Sequence, residues 1–559
     1  MLIVEGSGII CWSAGMTFSD GLSDGCRTYL GMKYFSTSFL LVATLCNVSA
    51  EEIPCSLVGS GPELHYATTA KGDRICDFSY AGYRGGGVAL PDVPEKAKVT
   101  PTAGDCSDKI QAAIDSVSSM PLVNDFRGAV VLAPGTYKCG KTLTLHTSGV
   151  VLRGSGSSRD GTTLQMTEAP HACIVIGSKS QGQEPKGKKR SKRKKEGADE
   201  KSDSGAAIDI VDDYVPSGAT SLNLQKSDAF QVGDLVRISR PASTEWIQFM
   251  GMDNLISDGK PGLWLKEGRA LSQEREIKLV NGKQISWEMP LTDCIDSSKL
   301  GPNRATVQET SPDRKLSECG LENLRIEAAP PKGDFLDAQN IGVTFEGCED
   351  CWLRNVSTLN QLPDVLVSEL AERITLDSVV ATHPTTVKKS SRSSGRATDF
   401  RLGGRQTLMN QCSSSGNGSF YVSTADPESM LNVVLNCVFS GDGSIQPHMR
   451  WSTGLLLDGC KLRDGEITLR NRRGMGSGHG WTMGWGVVWN CSAKGIAVEQ
   501  PPGSINWCVG SRGNYEMGTE NTKEWLFSKG VPVKPESLYL AQLRARLGDQ
   551  AVKAVKKSE

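Results

Sequence analysis

His448 and Arg450 stand two residues apart, and His479 follows in a second polar run that begins at Arg472-Arg473 and ends at Trp481. Imidazole gains or loses a proton near neutrality, and guanidinium can grip a carboxylate at two points. Together they suit β-elimination on a uronic acid. The C5 proton becomes acidic once a cation neutralises the neighbouring carboxylate, a base then takes it, and the bond to the leaving oxygen breaks. On this reading Arg450 is the cation and His448 or His479 the base. Arg401, Arg405, Arg472 and Arg473 would widen the subsites for an acidic polysaccharide, and Trp451 and Trp481 would stack on sugar rings. Each residue also has a structural use: Arg450 can hold backbone carbonyls, a histidine can satisfy a turn, and tryptophan at strand spacing can pack a core.

Side chains alternate faces along an extended run, so His448, Arg450 and Ser452 are predicted to share one face, and His479 and Trp481 another. The two runs fall within a repeat. Strand-plus-turn units recur with Asn or Asp at Asn355, Asp377, Asn410, Asn436, Asp458 and Asn490, at separations of 22, 33, 26, 22 and 32 residues. That is about the length of a β-solenoid rung, with loops inserted in the longer intervals. Cys412, Cys437, Cys460 and Cys491 follow the same period. Buried free thiols filling the interior are expected there, with disulfides between rungs as the second reading. Upstream, residues 106–115 have helical apolar spacing behind a Ser/Asp cap, and 129–137, 143–145 and 149–154 read as short strands bounded by Gly and Pro.

The stretch from Gly128 to Gly156, GAVVLAPGTYKCGKTLTLHTSGVVLRGSG, followed by Thr162-Thr163-Leu164, resembles the N-terminal part of pectate lyase superfamily proteins. The phrase from Cys319 to Ile326 is similar to a later rung of the same proteins. The resemblance implies an all-β chain, a right-handed parallel β-helix (pectin lyase-like) with an N-terminal capping helix; the alternating strands and aromatics between Ala207 and Leu300 read as an inserted β-rich module, and the helical spacing from Ser537 to Gly548 as a C-terminal helix. It also implies polysaccharide binding along one sheet and its loops. Ser477-Gly478-His479-Gly480 is similar to the Gly-His-Gly element of polygalacturonase-type hydrolases, and Asp399, Asp426, Glu428 and Asp442 lie near in sequence. The Asn-Thr-Asp and Arg-Ile-Lys elements of those hydrolases are missing, which makes a lyase the first reading and a glycosidase the alternative. A non-catalytic polysaccharide-binding protein is the third. The Trp-Ile-Asp-His signature of calcium-dependent pectate lyases is missing too, so no cofactor and no metal ligand is predicted, and calcium is left open.

The chain has 559 residues, 38% of them hydrophobic, and Lys+Arg at 62 nearly balance Asp+Glu at 63. No net charge selects nucleic acid as a partner, and no apolar run past residue 50 is long enough to span a membrane. Lys33, the apolar run 39–45 and Val48-Ser49-Ala50 read as a secretory signal peptide starting at Met32 and cleaved after Ala50, with 1–31 an extension upstream. A secreted or periplasmic monomer is expected. The predicted organisation is a cap and first rungs over 51–183, a basic then acidic low-complexity insertion over 184–206, a β module over 207–300, the main rungs over 301–515 and a tail with a helix over 516–559. Gly154-Ser155-Gly156 lacks the third glycine of a phosphate loop, and Cys348 with Cys351 is a weak zinc signal.

Overall fold

The computed structural model describes residues 53–59, 61–177, 205–312, 315–383, 396–515 and 525–556. The signal-like segment and the basic block lie outside these residues. All of the described chain belongs to one compact unit, Glu51–Glu559.

Among the described residues, 29 strands join one sheet that winds through three parallel ladders. The first ladder stacks Gly320–Glu327, Trp352–Leu359, Thr375–Asp377, Leu408–Asn410, Met430–Leu435, Ser452–Asp458, Val487–Trp489 and Trp507–Val509 in register. The second passes through Val380–Thr382, Ser413–Ser415, Val438–Ser440 and Lys461–Leu462. The third passes through Val365–Val367, Ala397–Leu402, Ser419–Thr424, Ser444–Ile445 and Glu466–Leu469. Every pairing named here is parallel, and parallel crossovers within one sheet are right-handed almost without exception. The molecule is a right-handed parallel β-helix.

The polar repeat marks the turn between the first and second ladders, but it mixes two adjacent positions. The turn residue itself adopts the left-handed conformation in successive rungs: Asn323, Asn355, Ser378, Gln411, Asn436, Gly459 and Asn490, with φ between 48° and 65°. Asn tolerates that conformation better than most side chains. Asp377, Asn410 and Asp458 instead end the preceding strand, one residue earlier. Next to the turn, Cys412, Cys437, Cys460 and Cys491 point into the core, each thiol donating to main-chain carbonyls. All fourteen described cysteines are free.

Leu455, Leu456 and Leu457 are all buried, because both faces of the first ladder are covered. Leu455 and Leu457 face the interior, whereas Leu456 joins an outer layer with Ile75, Phe78, Leu538, Tyr539 and Leu543. The helix Leu538–Leu547 therefore packs along the side of the β-helix. Asp458 caps it, its Oδ2 accepting from Ser537 Oγ at 2.7 Å and Tyr539 N at 2.9 Å. The helix Ser107–Ser118 buries Ile110, Ile114 and Val117 against the interior core.

The inserted module has its own core around Val236, Ile238, Ile285 and Trp287. Its main sheet is antiparallel and includes Thr306–Glu309, past residue 300.

Candidate active site

The segment between Ser444–Ile445 and Ser452–Asp458 joins the third ladder to the first, and one rung on the same corner carries the 470–482 loop. The two connections stack like strands. Arg450 N donates to His479 O at 3.2 Å, Trp451 N to Trp481 O at 3.1 Å and Ser452 N to Thr482 O at 3.1 Å. The loop closes on itself through Arg472 N to Gly480 O at 2.8 Å. This stacking brings the His448 and His479 rings to 4.7 Å, edge to face at 66°. Arg472 Nη1 donates to His448 O at 2.9 Å, and Arg450 Nη2 to Ser477 Oγ at 2.6 Å.

The predicted extended run breaks here, and Ser452, expected to share a face with His448 and Arg450, is buried. Arg450 and Trp451 both have positive φ, 63° and 68°, so the chain turns between them. Trp451 swings under the surface and packs edge-on against Trp246 and Trp264 of the inserted module, while Arg450 remains half-buried beside His448. Trp481 is equally enclosed and donates from its indole to Met250 O at 3.1 Å. Both tryptophans are 2% exposed, so neither offers a stacking face to a sugar.

The module also holds the loop that carries His479. Trp264 Nε1 donates to Trp481 O at 2.9 Å, Leu263 N to Ser477 O at 3.1 Å, and Ser257 Oγ to Gly476 O. A Cβ on Gly474 would fall 1.7 Å from Ile256 O, and one on Gly480 2.4 Å from Trp264. The glycines of this loop thus allow the module to approach it.

Electrostatically the cluster is dominated by cations, while Glu499 Oε2 accepts from Asn471 N at 2.7 Å at the start of the loop. Burial, then Arg472, His479, Arg401 and Arg450, push His448 down to about 3. Burial, then Arg472 and Arg450, push His479 down to about 4. Both imidazoles are neutral at pH 7. Arg401, Arg450 and Arg472 form no ion pair among the described residues, and Arg450 Nε, Arg472 Nε and His479 Nδ1 are buried with no hydrogen-bond partner there. Arg401 is exposed on the neighbouring strand, and Arg473 is exposed on the loop.

The carboxylates near in sequence do not join this cluster. Asp399 is wholly buried in the interior, Asp426 and Glu428 pair with Arg269, and Asp442 accepts from Gly418 N. Arg405 goes elsewhere too. It pairs with Glu372 at 2.5 Å and with Glu274 of the module at 3.1 Å. These residues line a cavity of about 510 Å³ between module and β-helix. Glu349, Glu372 and Arg405 occupy equivalent positions in successive rungs. Burial raises the Glu349 carboxyl, and the adjacent Glu372 adds to that against Arg373. Burial also works against ionised Glu372, but Arg405, Lys315 and Arg373 outweigh it and hold its carboxyl well below the usual range. Sequence reasoning did not single out this pair. The signal was the rung register that sets residues 349, 372 and 405 above one another.

No family model matches the chain, and no curated protein matches it. Among solved structures it is similar to the tailspike of Pseudomonas phage phi297, with 11% identity, a TM-score of 0.28 and coverage of 76% of this chain and 73% of that one. It is similar to an endo-xylogalacturonan hydrolase from Aspergillus tubingensis, with 12% identity, a TM-score of 0.28 and coverage of 78% and 93%. An exopolygalacturonase from Thermotoga maritima gives 9% identity, a TM-score of 0.27 and coverage of 79% and 77%. Likenesses at this level carry no argument, and the fold rests on the strand registers.

Proposed function

We propose that the chain is a secreted polysaccharide lyase acting on a uronate-containing polymer at the His448–Arg450–His479 corner. The observation that carries this reading is that Arg401, Arg450 and Arg472 form no ion pair among the described residues and stand beside two neutral imidazoles. Such a site attracts a carboxylate and keeps both imidazoles unprotonated at pH 7, and the bound carboxylate, by offsetting the guanidiniums, would raise their basicity. Arg450 would bind the uronate carboxylate with Arg472 behind it, and Arg401 would meet a neighbouring sugar. One imidazole takes the C5 proton, the C5–H electron pair forms the C4–C5 double bond, and the C4–O bond breaks. The leaving oxygen then takes a proton from solvent or from the ring that received the C5 proton, which returns that ring to its neutral form.

Incubation with a panel of uronate polymers tests this, with unsaturated uronate absorbance as the expected product signal. Arg450→Ala should lower turnover by about 10²-fold or more while leaving the far-UV spectrum unchanged. Retained turnover would remove Arg450 from the reaction.

Glu349 and Glu372 favour a second reading, hydrolysis in the module cavity. Neighbouring carboxyls shifted in opposite directions, Glu349 up and Glu372 down, are what acid–base pairs need. New reducing ends without ultraviolet absorbance, lost in Glu372→Gln, would support it over the lyase. Secretion rests on the segment from Met32 to Ala50, and N-terminal sequencing of the native protein should begin at Glu51.

A further inference from the structure

One part of the β-helix interior is ionic. Asp364 precedes strand Val365–Val367, His383 follows Val380–Thr382, and Asp399 lies within Ala397–Leu402. Their exposures are 0%, 3% and 0%. His383 Nε2 stands 3.0 Å from Asp364 Oδ2 and 3.3 Å from Asp399 Oδ1. Ser414, whose Oγ donates to Asp399 Oδ2, aligns with Ala381 and Phe439, and both of these are interior residues.

We propose that Asp364, His383 and Asp399 bind one divalent transition-metal ion inside the β-helix. The first reason is hydrogen-bond capacity. A single Nε2 proton can serve one carboxylate, and Asp399 Oδ1 faces that nitrogen without a hydrogen bond. Asp364 Oδ1 is also buried and unpartnered among the described residues. The second reason is spacing. Ligand atoms about 2.0–2.2 Å from a common ion stand about 3.0–3.5 Å apart, which matches the two measured separations. One ligand atom from each residue lies within 4.8 Å of the others. The third reason is charge. No Lys or Arg pairs with either carboxylate among the described residues, and two buried carboxylates with a neutral imidazole are balanced by a dication. Two oxygens and one nitrogen suit Zn²⁺ or Mn²⁺ better than Ca²⁺, which takes oxygen ligands. An ion here would tie together the rungs that carry Asp364 and Asp399. It is independent of the surface chemistry proposed above.

The test uses the full mature chain, stripped with a chelator, loaded with Zn²⁺ or Mn²⁺ and desalted. One ion should remain per chain, and the melting temperature should rise with added metal by mass action. Asp399→Asn and His383→Gln should abolish retention, whereas Arg450→Ala should keep it. A wild-type chain that retains neither ion and melts at the same temperature with and without them overturns the proposal, leaving a protonated histidine between two carboxylates. So would retention unchanged in both variants. The wild-type measurements decide the matter even if the variants fail to fold.

Discussion

At neutral pH His448 and His479 are uncharged bases set among guanidiniums, and this combination predicts an unusual pH dependence. Their folded values, about 3 and about 4, lie below the usual histidine value near 6.5. The folded state therefore binds fewer protons than the unfolded chain between those limits. Their contribution to stability is present above about pH 6.5 and is lost as pH falls through the folded values. The base is already free at pH 5. The profile of kcat/KM should accordingly show no limb near 6.5 and should fall only as pH approaches about 4. A limb at 6.5 would mean that the base is an ordinary solvated histidine. Arg450 was visible in the sequence as a cation near a histidine. The αL pair at Arg450 and Trp451 was not visible, because it follows from stacking on the 470–482 loop.

The inserted module acts on the site through two connections, the loop carrying His479 and the segment that runs through Trp451. Trp264 stacks on Trp246 with ring centroids 5.0 Å apart, and its indole donates to Trp481 O. Trp451 is fixed from the same side, its indole donating to Asp293 at 3.0 Å, and Asp293 in turn pairs with Arg240 at 2.6 Å. Trp264→Ala removes a fully buried ring and the hydrogen bond to the loop, a loss of about 3–5 kcal/mol. We expect it to lower stability in urea by that order and to reduce turnover further, because the loop that places His479 and Ser477 loses its anchor. Stability lost with turnover unchanged in the residual folded protein would show that the module serves folding alone. The aromatic residues of the module were legible in sequence. Their partners were not, because Trp246 and Trp264 meet Trp451 and Trp481 across about 200 residues of chain.

Across the whole molecule, the cohesive unit is the stack of rungs, closed laterally by the helix Leu538–Leu547 and by the residues from Ile75 to Ala81. Among the described residues no disulfide links the rungs. Fourteen thiols are free, and burial raises those of Cys437 and Cys491 well above the ordinary cysteine value. A raised value keeps them as thiols, poor nucleophiles toward oxidants. Thiol titration of denatured mature protein should find fourteen groups, matching the free cysteines of the structure. The melting temperature should not change with reductant. A fall on reduction would reveal disulfides.

The sequence by itself determined the architecture. Rung-length spacing, turn residues able to adopt positive φ and small buried cysteines are local properties that every rung repeats, and repetition makes them readable without contacts. It also marked His448, Arg450 and His479, because imidazole and guanidinium cluster there on neighbouring rungs. Only the tertiary structure decided which cations lack counter-ions. Arg405 and Arg450 look alike in sequence, yet Arg405 meets Glu372 and Glu274, while Arg450 meets a serine hydroxyl. That difference depends on which carboxylates the rung register and the inserted module bring within a few ångströms, and such distances are set by packing between residues far apart in the chain.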